Sequence, residues 1–423
     1  MNQSEAFDRA IEILRENDRG SYTVPTKGLY PFQWNWDSCL TALGQSHYDE
    51  SRAWREIETL FAHQWPDGMV PHIVFHEADE GYFPGPDVWQ TGRPVPTSGI
   101  TQPPVAGFAV KRLFERAEDK AMAGERARAL LPKIDAWHSW FYEHRDPHGE
   151  GLVAILHPWE SGRDNSIDWD AALDRVPSAG IEPYTRRDTQ HADPAHRPTG
   201  AQYDRYLWLL QHFRALGWNN RKLHEASPFQ MVDPGFNAIL IRGCASLAAL
   251  AEALGESEIA QANLARAEMG LAALEGLWSE RHGQYLCHDR TAGELVDSAS
   301  IGGLLPVFAG VPADRAAAIA RRIERQAGEL GYVVASHDPE DPRFEAKRYW
   351  RGPAWLVTNY MIADGLAATG EDAVAAEIVR SSLELITRSG FAEYYDPVEG
   401  EACGGSRFTW TAAMVVEFLG AQG

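Results

Sequence analysis

Three carboxylates lie close together in the run His157–Trp169, which reads H-P-W-E-S-G-R-D-N-S-I-D-W. Glu160, Asp164 and Asp168 fall within nine residues of one another, and a tryptophan stands on each side of them. Carboxyl groups can move protons, and indole rings offer flat apolar faces to a pyranose ring. The run therefore suggests a site for a sugar. A solvated acidic loop between two core tryptophans would fit the same letters, so the rest of the chain must distinguish the two.

Other kinds of catalytic site find little support. His72 and His76 are four residues apart, as two ligands on one helix face would be, and His63 lies nearby. The segment around them is rich in proline, so this spacing does not place them on one face, and we expect no catalytic zinc. The chain has no G-x-S-x-G sequence, no phosphate-binding loop and no dinucleotide fingerprint. We therefore expect no metal and no cofactor.

The composition narrows the class of protein. The chain has 423 residues, 44% of them hydrophobic, with fifteen tryptophans and a formal net charge of −21. Such a charge argues against a nucleic-acid partner or an anionic membrane surface. The start of the chain is polar, no apolar run is long enough to span a membrane, and the four cysteines are scattered. We expect a cytoplasmic protein with reduced thiols; the sequence leaves its oligomeric state open.

Apolar residues recur at helical spacing over most of the chain. They predict about twelve helices in successive pairs, with Thr199 as the N-cap of one of them. Strand signals are weak and are confined to 331–336 and 284–288. The predicted helices cover 4–17, 36–45, 51–63, 104–116, 124–142, 199–216, 232–254, 258–278, 297–308, 313–325, 353–367, 371–388 and 409–420.

Two long segments interrupt the helical pattern. Residues 64–104 hold eight prolines and five glycines, and a structureless run of this length inside a domain usually carries function. Residues 171–200 are irregular and polar and could close over a ligand as a lid. No repeat of fixed period and no linker is found, so a closed ring of helix pairs fits better than an extended solenoid. We predict a single domain over 1–423, with function-bearing loops at one end of the ring.

Four segments together resemble one known family. They read Y-P-F-Q-W-N-W-D-S at 30–38, E-S-G-R-D-N-S at 160–166, R-Y-W-R-G-P-A-W at 348–355, and F-A-E-Y-Y-D-P-V-E-G followed by F-T-W within 391–410. In this order they resemble the inverting α-glycosidases of glycoside hydrolase family 63. Within that family the chain is most similar to the short bacterial mannosylglycerate and glucosylglycerate hydrolases, and the similarity spans nearly its whole length.

The resemblance implies an all-α (α/α)6 toroid that hydrolyses an α-glycoside with inversion. The family's general acid is the aspartate of its G-x-D segment, which matches Asp164. Its general base is the glutamate of the E-x-Y segment before the last helix, which matches Glu393. These positions are 393 − 164 = 229 residues apart, so only a closed fold could bring them together.

A general acid of this kind must stay protonated near neutral pH, so the pKa of Asp164 has to be raised. Trp159 and Trp169 could form apolar walls around the carboxyl, and Glu160 could add a like charge that disfavours ionisation. Arg163 would oppose this effect if its side chain pointed inward, so we expect it to point away. If Asp164 is the general acid, Asp168 is expected to have a structural role.

For the general base, Asp396, Glu399 and Glu401 compete with Glu393. Glu393 lies between Ala392 and Tyr394 ahead of the D-P-V-E-G turn, whereas the others lie in or after that turn. A base needs its carboxylate held by neighbours, and this favours Glu393.

The resemblance also suggests sugar-binding residues near the start of the chain. Asp37 is expected to hydrogen-bond sugar hydroxyls, although an aspartate at this place could simply begin a helix. Tyr30, Trp34 and Trp36 are candidates for stacking on the ring, and at least one of them is expected to be plain core.

A glycerate aglycone would carry a carboxylate, which a chain of charge −21 repels at long range. A local cation is therefore required, and Arg197 with Tyr203 is the first candidate. Tyr82 and Gln102 could add hydrogen bonds to the same group. Three further residues come from R-Y-W-R: Arg351 could pair with an acid, and the sugar is expected to be flanked by Tyr349 and Trp350.

The leading hypothesis is an enzyme that cleaves a small compatible-solute glycoside, glucosylglycerate or mannosylglycerate, into sugar and glycerate. A trehalase-like or oligosaccharide-trimming α-glucosidase is the alternative. A sugar epimerase on an α/α barrel would need a facing pair of histidines, and only His157 lies beside a motif. A helical-repeat scaffold without activity would have plain polar loops, whereas these loops concentrate aromatic and acidic residues. The sequence does not distinguish glucose from mannose.

Overall fold

Wholly buried and half-exposed helices alternate along the chain, and this alternation sets the architecture. The computed structural model describes residues 2–190 and 193–420. Fifteen α-helices lie within this part of the chain. In order, α1 to α15 cover Gln3–Asn17, Asn35–Gln45, Glu50–Phe61, Pro86–Trp89, Ala106–Arg116, Lys120–Arg145, Asp170–Asp174, Gly200–Ala215, Asn220–Ala226, Pro234–Leu254, Ser257–Leu274, Ala313–Glu329, Leu356–Ala368, Asp372–Ser389 and Thr409–Gly420.

The strands are short and form four small antiparallel sheets among the described residues. They pair as β1 with β2, β3 with β6 and β6 with β7, β4 with β5, and β8 with β9. In order, β1 to β9 cover Gln33–Trp34, Ile73–Val74, Met231–Val232, Trp278–Ser279, Gln284–Tyr285, His288–Asp289, Glu294–Leu295, Ala392–Tyr395 and Ala402–Ser406.

Six elements close an inner ring. Helix α15 packs on α2, α2 on α5, and α5 on α10; α10 packs on a 3₁₀ turn at Leu305–Ala309, which packs on α13, and α13 returns to α15. An outer element covers each of them, namely α1, α3, α6, α11, α12 and α14. Outer and inner elements alternate in sequence, so the loops that enter the inner elements meet at one end of the ring. The predicted all-α (α/α)6 toroid is confirmed.

Glycines let the inner helices approach closely. A Cβ on Gly107 of α5 would lie 2.4 Å from the carbonyl oxygen of Gly243 in α10. A Cβ on Gly44 of α2 would lie 2.7 Å from the Cα of Ala413 in α15. Any larger residue at these crossings would force the backbones apart, because interiors pack without spare volume.

Most predicted helices are confirmed to within a few residues, including the Thr199 cap, whose side chain accepts a hydrogen bond from the backbone of Gln202. Residues 297–308 are wrong as a helix: they form 3₁₀ turns at Ile301–Gly303 and Leu305–Ala309, since paired glycines and a proline interrupt the run. The strand predicted over 331–336 is also wrong, because only an isolated bridge from Ala335 to Ala354 forms there.

The two interrupting segments are not structureless. The segment 64–104 holds β2 and α4, and the segment 171–200 holds most of α7 and two 3₁₀ turns. Residues 191 and 192 of the latter lie outside the described residues, and its role as a lid stays a prediction. Helix α10 is apolar and long enough to cross a bilayer, but 67% of its most apolar window is buried in the protein, which marks it as a core helix.

We propose that the chain folds as one domain. Helices α1 and α15 come from its two ends and pack against each other, so the ring closes only when both ends are present. Two separable transitions in calorimetric unfolding would contradict this proposal.

Candidate active site

A cavity opens at the end of the ring where loops enter the inner elements. The segments that precede α2, α5, α10, α13 and α15 all contribute to its walls, and it holds about 940 Å³ of empty space, including its mouth. Twelve of the fourteen predicted site residues line it: Tyr30, Trp34, Trp36, Asp37, Tyr82, Gln102, Trp159, Asp164, Arg197, Tyr203, Tyr349 and Glu393.

A capped 3₁₀ turn and a glycine fix the loop that carries Asp164. A 3₁₀ turn at Pro158–Ser161 is capped by His157, whose Nδ1 accepts the backbone N–H of Trp159 at 3.1 Å. Gly162 then turns the chain with φ 69°, and a Cβ there would lie 2.8 Å from the ring of Trp36. Only glycine suits both this backbone and this contact.

The residues on either side of Asp164 are anchored away from the cavity. Arg163 is buried and donates hydrogen bonds to Asp168 at 3.1 Å and to Asp233 at 2.9 Å, so it points away as predicted. Asn165 accepts the backbone N–H of Trp350 at 3.0 Å. The side chain of Asp164 therefore faces the cavity between two fixed neighbours.

The pKa of Asp164 is raised to about 7: burial is the main cause, Arg197 opposes the shift, and the negative charge of Glu393 adds to it. The charge of Glu393 acts on Asp164 although the two residues are far apart in sequence, because both face the same cavity. A carboxyl with this pKa is half protonated near neutral pH, as a general acid must be.

The pH dependence of kcat/KM should therefore be bell-shaped. If Asp164 is the general acid, as the resemblance implies, activity should fall above about pH 7, where its carboxyl loses its proton. Burial also raises the pKa of Glu393 above its ordinary value, so activity should fall on the acid side where this carboxylate gains a proton. The two limbs belong to the pair of groups rather than to either alone. Activity that keeps rising from pH 7 to pH 9 would contradict the assignment.

Glu393 lies at an irregularity in a β-ribbon. The register of β8 against β9 shifts between Ala392 and Tyr394, and such bulges re-aim a side chain. Gly404 of β9 has φ 71°, and a Cβ there would lie 2.3 Å from Oε2 of Glu393. A glycine at this position lets the carboxylate lie against the neighbouring strand.

Three donors hold the carboxylate of Glu393. Its Oε1 accepts hydrogen bonds from the hydroxyls of Tyr30 at 3.0 Å and Tyr349 at 3.3 Å, and its Oε2 accepts the backbone N–H of Gly405 at 2.9 Å. Arg197 lies 3.7 Å away. These contacts keep the carboxylate in one orientation and favour its ionised form against the cost of burial.

The competing carboxylates lie outside this cavity. Asp396 is buried and accepts the backbone N–H of Val398 at 2.8 Å, which fixes the turn between β8 and β9. Glu399 is exposed in the same turn, and Glu401 pairs with Lys347 at 2.5 Å. None of the three lines the cavity, so Glu393 is the one of the four that can reach a ligand there.

Asp37 lies in the first turn of α2 and faces the cavity. Burial raises its pKa well above the ordinary value, and the charges of Glu393 and Asp164 add to this effect. Beside it stand the aromatic rings of Trp36 and Trp410, which meet edge to face with centroids 5.7 Å apart. The site thus combines a third carboxyl with apolar faces, as hydroxyl recognition on a sugar requires.

Glu160 does not line the cavity, which corrects its predicted part in the site. Its carboxylate pairs with Arg145 at 3.0 Å and accepts the backbone N–H of Leu156 at 2.8 Å. Arg145 neutralises its charge, and the like charges that raise the pKa of Asp164 come from Glu393 and Asp188 instead. Glu160 fixes the base of the loop rather than tuning the acid.

Removing Arg145 should destabilise the protein strongly. Arg145→Met would leave the carboxylate of Glu160 buried without its cation, and breaking such a pair costs about 3–5 kcal/mol in the free energy of unfolding. Urea unfolding measures this change. Arg221→Met is the matched control, since Arg221 is an exposed arginine on α9. An Arg145→Met variant as stable as wild type would show that the pair holds nothing together.

Two predicted tryptophans belong to the core. Trp350 does not line the cavity, because its ring stacks on Trp355 at 3.8 Å between centroids. Trp169 also lies away from it and donates from its indole to the backbone oxygen of Arg163 at 2.8 Å. The predicted ion pair of Arg351 forms with Asp170, at 2.9 Å.

Several cavity residues were not predicted. His72 faces the cavity as a neutral imidazole, since burial lowers its pKa to about 3. Phe408 and Trp410 belong to the F-T-W motif, so that motif could have identified them as residues of the site. The spacing of the other lining residues along the chain does not indicate that they face the cavity, because they lie in irregular segments. These residues include Leu29, Trp89, Arg187 and Asp188.

Two carboxyls on the walls of one aromatic cavity, Asp164 and Glu393, at the loop end of an α/α toroid, are the arrangement that an acid/base glycoside hydrolase requires. The chain belongs to a family of such enzymes, the MGH1-like glycoside hydrolases: residues 30–411 match the family model described as the mannosylglycerate hydrolase MGH1-like glycoside hydrolase domain. The resemblance to glycoside hydrolase family 63 is confirmed by a solved structure of that family.

Relatives with assigned activities cover nearly the whole chain. Mannosylglycerate hydrolase MGH1 of Selaginella moellendorffii is 48% identical over 99% of this chain and 86% of its own length. Glucosylglycerate hydrolase of Mycolicibacterium hassiacum is 35% identical over 97% of each chain. The crystal structure of the GH63 mannosylglycerate hydrolase from Thermus thermophilus with Tris and D-glycerate is 48% identical, with a TM-score of 0.94 over 97% of this chain and 99% of that one.

Proposed function

We propose that this enzyme hydrolyses α-mannosylglycerate or α-glucosylglycerate to the free sugar and glycerate, with inversion at the anomeric carbon. The observation that carries the proposal is a buried arginine beside the carboxyl pair: Arg197 faces the same cavity as Asp164 and Glu393. A site for a neutral glycoside has no need of such a cation, whereas a glycerate aglycone carries a carboxylate.

In this mechanism Asp164 donates its proton to the glycosidic oxygen as the bond to the anomeric carbon breaks. Glu393 accepts a proton from a water molecule that attacks the same carbon from the opposite face. The sugar leaves as the β anomer, Asp164 is left ionised and Glu393 protonated, and exchange with solvent restores both. Such a pair must lie about 6.5–9.5 Å apart to admit the water.

The aromatic part of the cavity suits the sugar. Asp37 would accept hydrogen bonds from sugar hydroxyls, and Trp36 and Trp410 would cover the faces of the ring. His72 presents a buried Nδ1 that finds no hydrogen-bond partner within the described residues, so it could take a hydroxyl as well. A buried polar atom without a partner is costly until a ligand supplies one.

The charged part of the cavity suits the glycerate. The Nη1 of Arg197 is buried and has no hydrogen-bond partner within the described part of the chain. Gln102 accepts the backbone N–H of Trp36 at 3.3 Å, and its amide nitrogen makes no hydrogen bond with the residues that the structure describes. Tyr82 and Tyr203 also line the cavity, where the hydroxyl of Tyr203 donates to the backbone oxygen of Phe83 at 3.4 Å. Together these donors would hold a carboxylate and its neighbouring hydroxyl.

The alternatives have less support. A trehalase-like enzyme would take an uncharged disaccharide, and the likeness to neutral trehalase Nth1 of Saccharomyces cerevisiae, at 14% identity, concerns the fold alone. An epimerase would need two histidines that face each other across the ligand. His157 caps a turn and bonds to the backbone oxygen of Tyr206 at 3.0 Å, away from the cavity.

A cytoplasmic location is also proposed. The four cysteines are all buried and unpaired with one another, and burial raises the pKa of each thiol. Reduced structural thiols are typical of a reducing compartment. Recovery of the native enzyme from a secreted fraction would contradict this.

A substrate screen tests the proposed function. Mannosylglycerate, glucosylglycerate, glucosylglycerol, trehalose and kojibiose are supplied separately, and the released sugar is measured. One or both glycerates should have a kcat/KM at least tenfold above the neutral compounds, since a site built to bind a charged group discriminates strongly against ligands that lack it. Preference for trehalose or kojibiose would contradict the proposal.

A further inference from the structure

Residues 186–188 and 197–198 bring three arginines and one aspartate to one side of the cavity. Arg187, Asp188, Arg197 and Pro198 line it, and Arg186 lies directly behind them. Local charge there is therefore positive, in a protein of formal net charge −21. The three arginines differ in how far their charges are already compensated.

Two of these arginines are bound to carboxylates. Asp188 accepts hydrogen bonds from Arg186 at 3.0 and 2.6 Å and from Arg197 at 3.4 Å. Arg197 also lies 3.7 Å from Glu393 and donates to the hydroxyl of Tyr30 at 2.9 Å. A substrate carboxylate on Arg197 would be the third anion around one guanidinium, so part of the charge of Arg197 is already compensated and a second cation would strengthen the attraction.

Arg187 is different. Its side chain is half-buried at the cavity wall, and it makes no ion pair and no side-chain hydrogen bond with any described side chain, a set that excludes those of residues 190–192. Its neighbours on both sides are fixed, since Arg186 also donates to the backbone oxygen of Pro198 at 2.7 Å. The backbone at Arg187 is thus held beside the cavity, while no carboxylate among the described residues compensates the charge of its guanidinium.

We propose that Arg187 is a specificity-determining residue that supplies the uncompensated positive charge for an anionic aglycone. It attracts the substrate carboxylate to the cavity and shares it with Arg197. This inference rests on the proposed function, because it concerns the carboxylate of the same substrate. Its contribution is electrostatic and partly exposed to solvent, so it should weaken as salt is added.

Binding of the free aglycone tests the inference without requiring turnover. Calorimetric titration compares D-glycerate with glycerol, which has the same carbon skeleton and no charge. Arg187→Gln should raise the Kd for D-glycerate about tenfold, leave binding of glycerol unchanged, and reduce the salt dependence of glycerate binding. Arg187→Lys should keep most of the affinity, because it keeps the charge.

Arg221→Gln is the matched control. It removes the same unit of charge from an exposed position on α9 outside the cavity, so it reports the effect of net charge alone and should leave glycerate binding unchanged. Equal glycerate affinity in Arg187→Gln and wild type would overturn the inference, as would equal weakening of glycerate and glycerol binding. A wild-type enzyme that does not bind D-glycerate more tightly than glycerol would also overturn it.

The proposed function is judged by a separate readout. Wild type that binds D-glycerate through Arg187 and yet releases no sugar from glycerate glycosides would contradict the proposed function and leave the charge assignment standing. Rapid hydrolysis of glycerate glycosides with unchanged KM in Arg187→Gln would contradict the charge assignment and leave the proposed function standing.

Discussion

Asp164→Asn should lower kcat for glycosides of ordinary alcohols by about 10³-fold, because an alkoxide is a poor leaving group without a proton donor. The loss should be far smaller for a 2,4-dinitrophenyl α-glycoside, whose leaving group needs no proton. Residual activity on that substrate should no longer fall above pH 7, since the group with a pKa of about 7 is gone. Steady-state kinetics on the two substrates measures both effects.

Stability separates this result from a folding defect. A carboxyl whose folded pKa is raised costs stability once it ionises, so at pH 8 the neutral amide should leave the Tm equal to wild type or higher. Asp174→Asn is the control, since Asp174 is an exposed carboxyl of the same segment that pairs with Arg205 at 3.1 Å. Equal losses on both substrates would mean that Asp164 is not the proton donor.

Glu393→Gln should lower kcat by about 10³-fold for the alkyl and the dinitrophenyl glycoside alike, because water must be activated in both reactions. The amide can still accept hydrogen bonds from Tyr30 and Tyr349 at Oε1. Its nitrogen would face the backbone N–H of Gly405, which now donates to Oε2 at 2.9 Å, so a stability loss of about 1 kcal/mol is expected as well.

Glu399→Gln is the control for the base. Glu399 is exposed in the turn between β8 and β9, on the same ribbon as Glu393, and its amide variant should have wild-type activity. Loss of activity in Glu399→Gln with retention in Glu393→Gln would reverse the assignment. A Glu393→Gln variant impaired only on the alkyl glycoside would indicate an acid rather than a base.

The sequence predicted the fold well because the ring is built from long helices with regular apolar spacing. It failed at 297–308, where an inner element of the ring is made of 3₁₀ turns. Just before the turn at Leu305–Ala309, Gly303 approaches a neighbouring backbone: a Cβ there would lie 2.0 Å from the carbonyl oxygen of Tyr285. Helical periodicity carries no information on such a contact between distant segments.

Within the site, motif residues were located better than their partners. Glu160 was predicted to act on Asp164 because it is near in sequence, but Arg145 on α6 neutralises it from another part of the chain. Asp188 lies in an irregular segment without any motif, yet its charge reaches Asp164. A single sequence shows which residues are neighbours along the chain. It does not show which ion pairs form between separate segments, because those pairs depend on the fold.

The anomer formed first is the most direct test of the central claim, that Asp164 and Glu393 form an inverting acid/base pair. Proton NMR of an α-linked glycerate glycoside, recorded within the first turnovers and before mutarotation, resolves the two anomers of the released sugar. We predict that the β anomer appears first and the α anomer only later by mutarotation. Initial release of the α anomer would contradict it.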